Sequence, residues 1–148
     1  MDKVNLILND MTDTRLAIHL DRLLRRIHSG LHRKAPEFDT ERIGPGGDMI
    51  LLTLDETGPA PIHTLTERLV RDKSQMTRSL QSLERKGLIT RAQSDEDSRV
   101  SVISLTHKGC EVVEIHQHAI AETVGGALKN LEPADKHALA DLLAKATP

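Results

Sequence analysis

Asp72-Lys73-Ser74-Gln75-Met76-Thr77-Arg78-Ser79-Leu80-Gln81-Ser82-Leu83-Glu84-Arg85-Lys86-Gly87 is the stretch on which the fold turns. Asp72 is placed to accept from the free amides of a first helical turn, Gln75 stands three residues later as its capping-box partner, and Gly87 is a residue that ends helices. Met76, Leu80 and Leu83 fall at i, i+4 and i+7, so one side of this helix faces a core. The remaining N-terminal positions, Lys73, Ser74, Gln75, Thr77 and Arg78, are hydrogen-bonding or cationic and project away from that stripe. The second helix of a helix-turn-helix needs this division, because it packs by one face and offers polar and Arg side chains to base edges and phosphates from its N-terminal half.

Upstream, Pro61 to Val70 reads as a short first helix, with Pro61 suited to a first turn and Thr64-Leu65-Thr66-Glu67 spelling a capping box slightly later. Before it, the apolar run Met49 to Leu54 belongs to a helix that stops at Thr57-Gly58-Pro59. A turn-rich connection, Pro36 to Gly47, precedes that run, and Gly44, Gly46 and Gly47 leave the start of the helix open. From Asp13 or Thr14 to about Lys34, Leu16, Leu20, Leu23, Leu24, Ile27 and Leu31 recur at helical spacing with Arg residues between them, which predicts a long amphipathic helix.

Downstream, Leu88 to Ala92 and Val100 to Leu105 read as two strands around a polar loop, Ser94 to Ser98. Thr106 then caps a long helix with apolar positions Val112, Val113, Ile115, Ala119, Ile120, Val124, Leu128 and Leu131, interrupted at Gly125-Gly126. Pro133 opens a last helix carrying Leu139, Leu142 and Leu143. The fold class expected is mainly α with a small β-wing, a winged helix-turn-helix with additional N- and C-terminal helices.

Composition narrows the chemistry. Of 148 residues the only aromatic is Phe38, with no Trp or Tyr, which excludes nucleic-acid modules that stack bases on aromatic platforms. A single Cys excludes a disulfide framework and Cys-rich zinc fingers. No stretch has the apolar length of a membrane span, and the N-terminal residues Asp2, Lys3, Asn5, Asn9 and Asp10 lack the pattern of a signal peptide, so a cytoplasmic protein without membrane partners is expected. The net charge of −2 conceals opposed blocks: residues 68–108 hold nine Lys and Arg against five Asp and Glu, whereas 35–67 hold one Arg against seven acids. A basic block in an acidic chain is the footprint of a surface laid on a polyanion, and equally of solvated helix faces rich in Arg.

The stretch from Asp72 to Arg78, then Leu83-Glu84-Arg85-Lys86-Gly87-Leu88-Ile89-Thr90-Arg91, Asp97-Ser98-Arg99 and Leu105-Thr106-His107-Lys108-Gly109, resembles the MarR family of bacterial transcriptional regulators over essentially the whole chain. The resemblance implies a homodimer built by segments 1–35 and 107–148, with residues 44–106 as the winged helix that binds a pseudo-palindromic double-stranded operator. It implies base reading by Ser74, Gln75, Thr77 and Arg78, phosphate contacts by Arg71 and Lys73, and a wing Arg99 held by Asp97 that enters the minor groove. Arg there suits the narrow, electronegative groove of A·T-rich DNA. In this chain Ser98 stands where a second Arg is frequent, and Asp95 and Glu96 add negative charge, so a weaker wing contact is expected. Arg85, Lys86 and Arg91 are equally compatible with DNA contact and with solvated positions.

The resemblance further implies a repressor released by a small-molecule effector, in a cleft drawing on the first helix, the Met49 helix and the helix after Thr106; Arg22, Arg26 and Met49 are the candidate residues. Cys110, in a first helical turn near His107 and Lys108, is the redox candidate. His28 with His32, and Glu114 with His118, share helix faces, but no dense ligand set converges on them, so neither metal nor cofactor is expected. No nucleophile, phosphate loop or metalloenzyme signature marks an enzyme. The alternatives are a winged-helix module that binds protein, or a redox- or metal-responsive regulator.

Overall fold

The computed structural model describes the backbone of residues 3–147 and the side chains of residues 11–147; Met1, Asp2 and Pro148, which belong to the segments expected to dimerise, lie outside the described residues. The elements are α1 (Lys3–Phe38), α2 (Gly44–Thr57), β1 (Ala60–Pro61), α3 (Ile62–Arg68), α4 (Lys73–Arg85), β2 (Ile89–Gln93), β3 (Ser101–Leu105), α5 (His107–Ala127) and α6 (Pro133–Ala146). They divide into two units, Met1–Lys34 with Ile120–Pro148, and Ala35–Ala119.

The unit Ala35–Ala119 is a winged helix. Its sheet is antiparallel in the order β1-β3-β2, with Ile103 of β3 opposite Ala60 on one side and Arg91 on the other. The two-stranded ribbon expected from sequence thus has a third, two-residue strand. Pro61, which lacks an amide donor, is tolerated there because β1 lies at the edge. Ile50, Leu51 and Leu54 of α2, Leu65 of α3, Met76, Leu80 and Leu83 of α4, with Leu88, Ile89, Ile103, Val112 and Val113, form one buried and wholly aliphatic core.

Helix boundaries differ from the expected ones for identifiable reasons. α2 begins at Gly44 because both oxygens of Asp39 accept from its first amides, Ile43 N and Gly44 N, each at 2.9 Å. α1 starts ten residues or more before Asp13 and continues past Pro36, which falls in its last turn, where loss of one amide donor stops little. α3 starts at Ile62, so the Thr64 capping box is not its N-terminus. α5 runs through Gly125-Gly126 without a break. Its buried positions in this unit are Gly109, Val112, Val113, His116 and Ala119, while Ile115, expected on the apolar face, is exposed.

In the other unit, Lys34 of α1 and Glu122 of α5 pair at 3.1 Å. Met11, Leu16, Ile18, Leu20 and Leu24 of α1 are exposed, as are Leu142 and Leu143 of α6.

Candidate nucleic-acid interface

Asp72 sits in extended backbone at the N-cap of α4 and accepts from Gln75 N at 2.8 Å, while Ser74 Oγ donates to the same carboxylate at 2.7 Å. These two bonds, largest first, with the Arg78 charge adding to them, hold the Asp72 carboxyl below its ordinary value. The cap fixes where α4 starts, and the buried Met76, Leu80 and Leu83 fix which way it faces. Lys73, Ser74, Gln75, Thr77 and Arg78 are consequently all exposed on the opposite side.

Several of these side chains have internal partners as well. Thr77 Oγ1 donates to the Lys73 carbonyl at 2.8 Å, and the residue remains exposed. Arg78 lies back along the helix, 3.4 Å from both the Ser74 carbonyl and Oγ, contacts too long to hold it firmly. Arg71 differs from its neighbours: it is half-buried, with Nη1 donating to Ser79 Oγ at 3.3 Å, and a Cβ on Gly46 of α2 would lie 2.5 Å from Nη2. Arg71 therefore joins the first turn of α2 to α4 in addition to any contact with a polyanion.

Both helices of the helix-turn-helix end in the same way. After α4, Leu88 N bonds the Leu83 carbonyl and Gly87 N the Glu84 carbonyl, with Gly87 at φ +71°. After α3, Arg71 N bonds the Thr66 carbonyl and Val70 N the Glu67 carbonyl, with Val70 at φ +46°. Each is a Schellman motif, and the left-handed position that glycine fills after α4 is filled by Val70 after α3. Val70 is also 92% exposed, next to the start of α4.

At the wing, Asp97 and Arg99 form a closed pair in the β2–β3 loop, Arg99 remaining 88% exposed at its side chain. Arg85 Nε lies against the Gln81 carbonyl at 3.3 Å, and Arg91 approaches Glu84 at 3.8 Å. Lys86 is committed to the Glu41 carbonyl.

The other candidates are distributed over both units. Arg22 and Arg26 are exposed on α1 in one unit, and Met49 is exposed on α2 in the other. Cys110 is exposed; of the two groups expected to activate it, His107 lies 3.5 Å from Glu111 and Lys108 is paired with Glu41. Among the described residues no group of three His, Cys, Asp or Glu is placed to hold a metal ion, and no helix is long and apolar enough to cross a membrane. Sequence reading gave no functional role to His116, Glu41 or Val70. His116 is buried, with Nδ1 2.6 Å from Asp48 Oδ1 and the Phe38 ring edge-on at 4.9 Å. The only signal for it was a polar residue at a core position of the helical period.

Known proteins of similar sequence and fold point the same way. The family model described as MarR family matches residues 49–101. The HTH-type transcriptional regulator YxaD of Bacillus subtilis is 33% identical over 95 residues, 64% of this chain and 66% of YxaD, so the matched stretch spans just under two thirds of that relative. MarR of E. coli superposes with a TM-score of 0.76 in its apo form, at 23% identity and over 90% of this chain and 96% of that one. A mutant of E. coli MarR complexed with operator DNA superposes with a TM-score of 0.64, at 25% identity over 89% and 96%. BpsR of Bordetella bronchiseptica, whose DNA binding is regulated by 6-hydroxynicotinic acid, shares the fold with a TM-score of 0.70, 18% identity and coverage of 90% and 99%.

Proposed function

The chain belongs to the MarR family of transcriptional regulators, and from that premise we propose that it acts as a cytoplasmic homodimer that binds a pseudo-palindromic operator and represses transcription until a small-molecule effector releases it. The observation that carries this reading is the division of α4 into a buried Met76-Leu80-Leu83 stripe and an exposed N-terminal face of Lys73, Ser74, Gln75, Thr77 and Arg78. On this reading Gln75, Thr77 and Arg78 meet base edges in the major groove, Lys73 and Arg71 meet phosphates, and Arg99 enters the minor groove from the wing. Ser74, whose hydroxyl is engaged by Asp72, contributes its lone pairs. Residues 44–106 form the DNA-binding part, and segments 1–35 and 107–148 the dimer. The exposed apolar side chains of α1 and α6 support the latter, since a monomer would leave them in water. A small-molecule effector is expected by analogy with BpsR, which shares the fold and whose DNA binding is regulated by 6-hydroxynicotinic acid. The protein performs no bond-making chemistry of its own.

The test is a duplex selected from a random pool by the full chain, then titrated with salt. A steep fall of affinity with salt is expected, with Arg78→Ala weakening binding by about tenfold or more and relaxing the sequence preference. Absence of salt-dependent binding to every duplex would overturn the reading.

A further inference from the structure

Three segments far apart in sequence converge on the carboxyl end of α4. Lys86, which closes the helix, donates from Nζ to the Glu41 carbonyl. Lys108, in the first turn of α5, reaches with Nζ to the Lys86 carbonyl at 3.1 Å and to Glu41 Oε1 at 2.9 Å. Thr106 donates to the Gly87 carbonyl at 2.6 Å and accepts from Gly109 N at 3.0 Å. Leu88 O accepts from Thr106 N at 3.1 Å and lies so close to Gly109 that a Cβ there would collide with it.

We propose that Glu41 and Lys108 are positioning residues for DNA reading: they lock the height and tilt of α4, and so set where Gln75, Thr77 and Arg78 meet the bases. This rests on the assignment of α4 as the reading helix. The apolar stripe orients α4 about its axis, but hydrophobic contact is non-directional and a small slide along the axis changes little buried area. Charge-assisted hydrogen bonds supply the missing direction. Lys108 places an ammonium on a carbonyl that α4 leaves unpaired, at the negative end of its dipole. Glu41 is itself held, since Arg42 N bonds the Asp39 carbonyl and the Asp39 carboxylate caps α2. Two of the nine cations in residues 68–108, Lys86 and Lys108, are thereby committed to internal partners rather than to phosphates.

The experiment compares the selected duplex with a scrambled duplex of equal length, over a range of salt, for the full-length chain and its Lys108→Gln and Glu41→Gln variants. Each variant is expected to lose about tenfold on the selected duplex, with scrambled-duplex affinity and salt slope as in the parent, and the double variant to lose no more than either single one. Parental affinity for the selected duplex, or an equal loss on both duplexes, would overturn the proposal. So would a Lys108→Gln salt slope shallower by about one, which makes Lys108 a phosphate contact. Glu41→Gln keeps the carbonyl acceptor and the shape, so the question stays answerable if Lys108→Gln does not fold. A parent that binds no duplex would instead remove the DNA-reading assignment itself.

Discussion

Arg99 closes on Asp97 through three hydrogen bonds: Nε to Oδ1 at 3.1 Å, Nη2 to Oδ2 at 3.2 Å, and the backbone amide to Oδ1 at 3.0 Å. One carboxylate thus orients both the guanidinium and the turn that carries it, at the solvent-exposed tip of the wing. The side-chain bonds first, and the amide bond second, hold the Asp97 carboxyl below its ordinary value of 3.8.

Arg99→Ala is expected to weaken operator binding by about tenfold and to reduce the salt slope by about one, measured by fluorescence anisotropy with a labelled duplex. Arg99→Lys does not restore binding, because an ammonium cannot take both carboxylate oxygens in a planar fork. Asp97→Ala leaves Arg99 charged but unoriented, and costs affinity at an unchanged slope.

Asp72→Ala removes the N-cap of α4 and lowers the melting midpoint by about a few degrees, whereas Asp72→Asn keeps most of the cap. The sign with pH follows from the lowered carboxyl value: stabilisation by the Asp72 cap is present above 3.8 and is lost as pH falls through the lower folded-state value. Thermal denaturation followed by far-ultraviolet circular dichroism, at neutral and acid pH, reads both effects. The Asp72→Ala difference shrinks in acid.

Val70→Gly is expected to stabilise the protein by about 1 kcal/mol in chemical denaturation. A β-branched residue at φ +46° carries roughly 1–3 kcal/mol of strain, and the added freedom of glycine in the unfolded chain returns about 0.5–1 of it. Little packing is lost at a side chain so exposed. Gly87→Val, the reverse exchange in the same motif after α4, destabilises.

His116 and Asp48 provide a double-mutant cycle. An ionised Asp48 only accepts, so His116 Nδ1 donates to it, and among the described residues Nε2 has no hydrogen-bond partner. Asp48→Ala leaves both ring nitrogens unpartnered in a buried site and costs about 1–3 kcal/mol. The double variant Asp48→Ala, His116→Leu is less stable than the parent by a smaller margin than Asp48→Ala alone, because no polar group is then stranded.

What could be read from sequence depended on the range of the interaction. The α4 cap, stripe and terminating Gly87 are written within sixteen consecutive residues, and the two wing strands within twenty, so local periodicity and turn chemistry found them. The third strand is two residues long and exists through Ala60 opposite Ile103 and Pro61 opposite Val102. The start of α2 at Gly44 runs against the propensity of Gly-Pro-Gly-Gly and depends on the Asp39 carboxylate five residues back. Glu41 joins Lys108 across sixty-seven positions, and Asp48 joins His116 across sixty-eight, with no periodicity to announce either. The Leu105-Thr106-x-Lys108-Gly109 motif was visible, but its meaning was not: Thr106 and Gly109 close on Gly87 and Leu88, which only the fold brings alongside.

The edge-on packing of Phe38 against His116 has a practical consequence. With no Trp or Tyr, the protein has no useful intrinsic fluorescence, so nothing in the native chain reports optically on its tertiary state. Phe38 is the last residue of α1, and its ring centroid lies 4.9 Å from an imidazole of α5. A Phe38→Trp variant would install a single fluorophore beside that imidazole. Its emission would then follow the approach of those two helices while the exposed face of α4 carried no label.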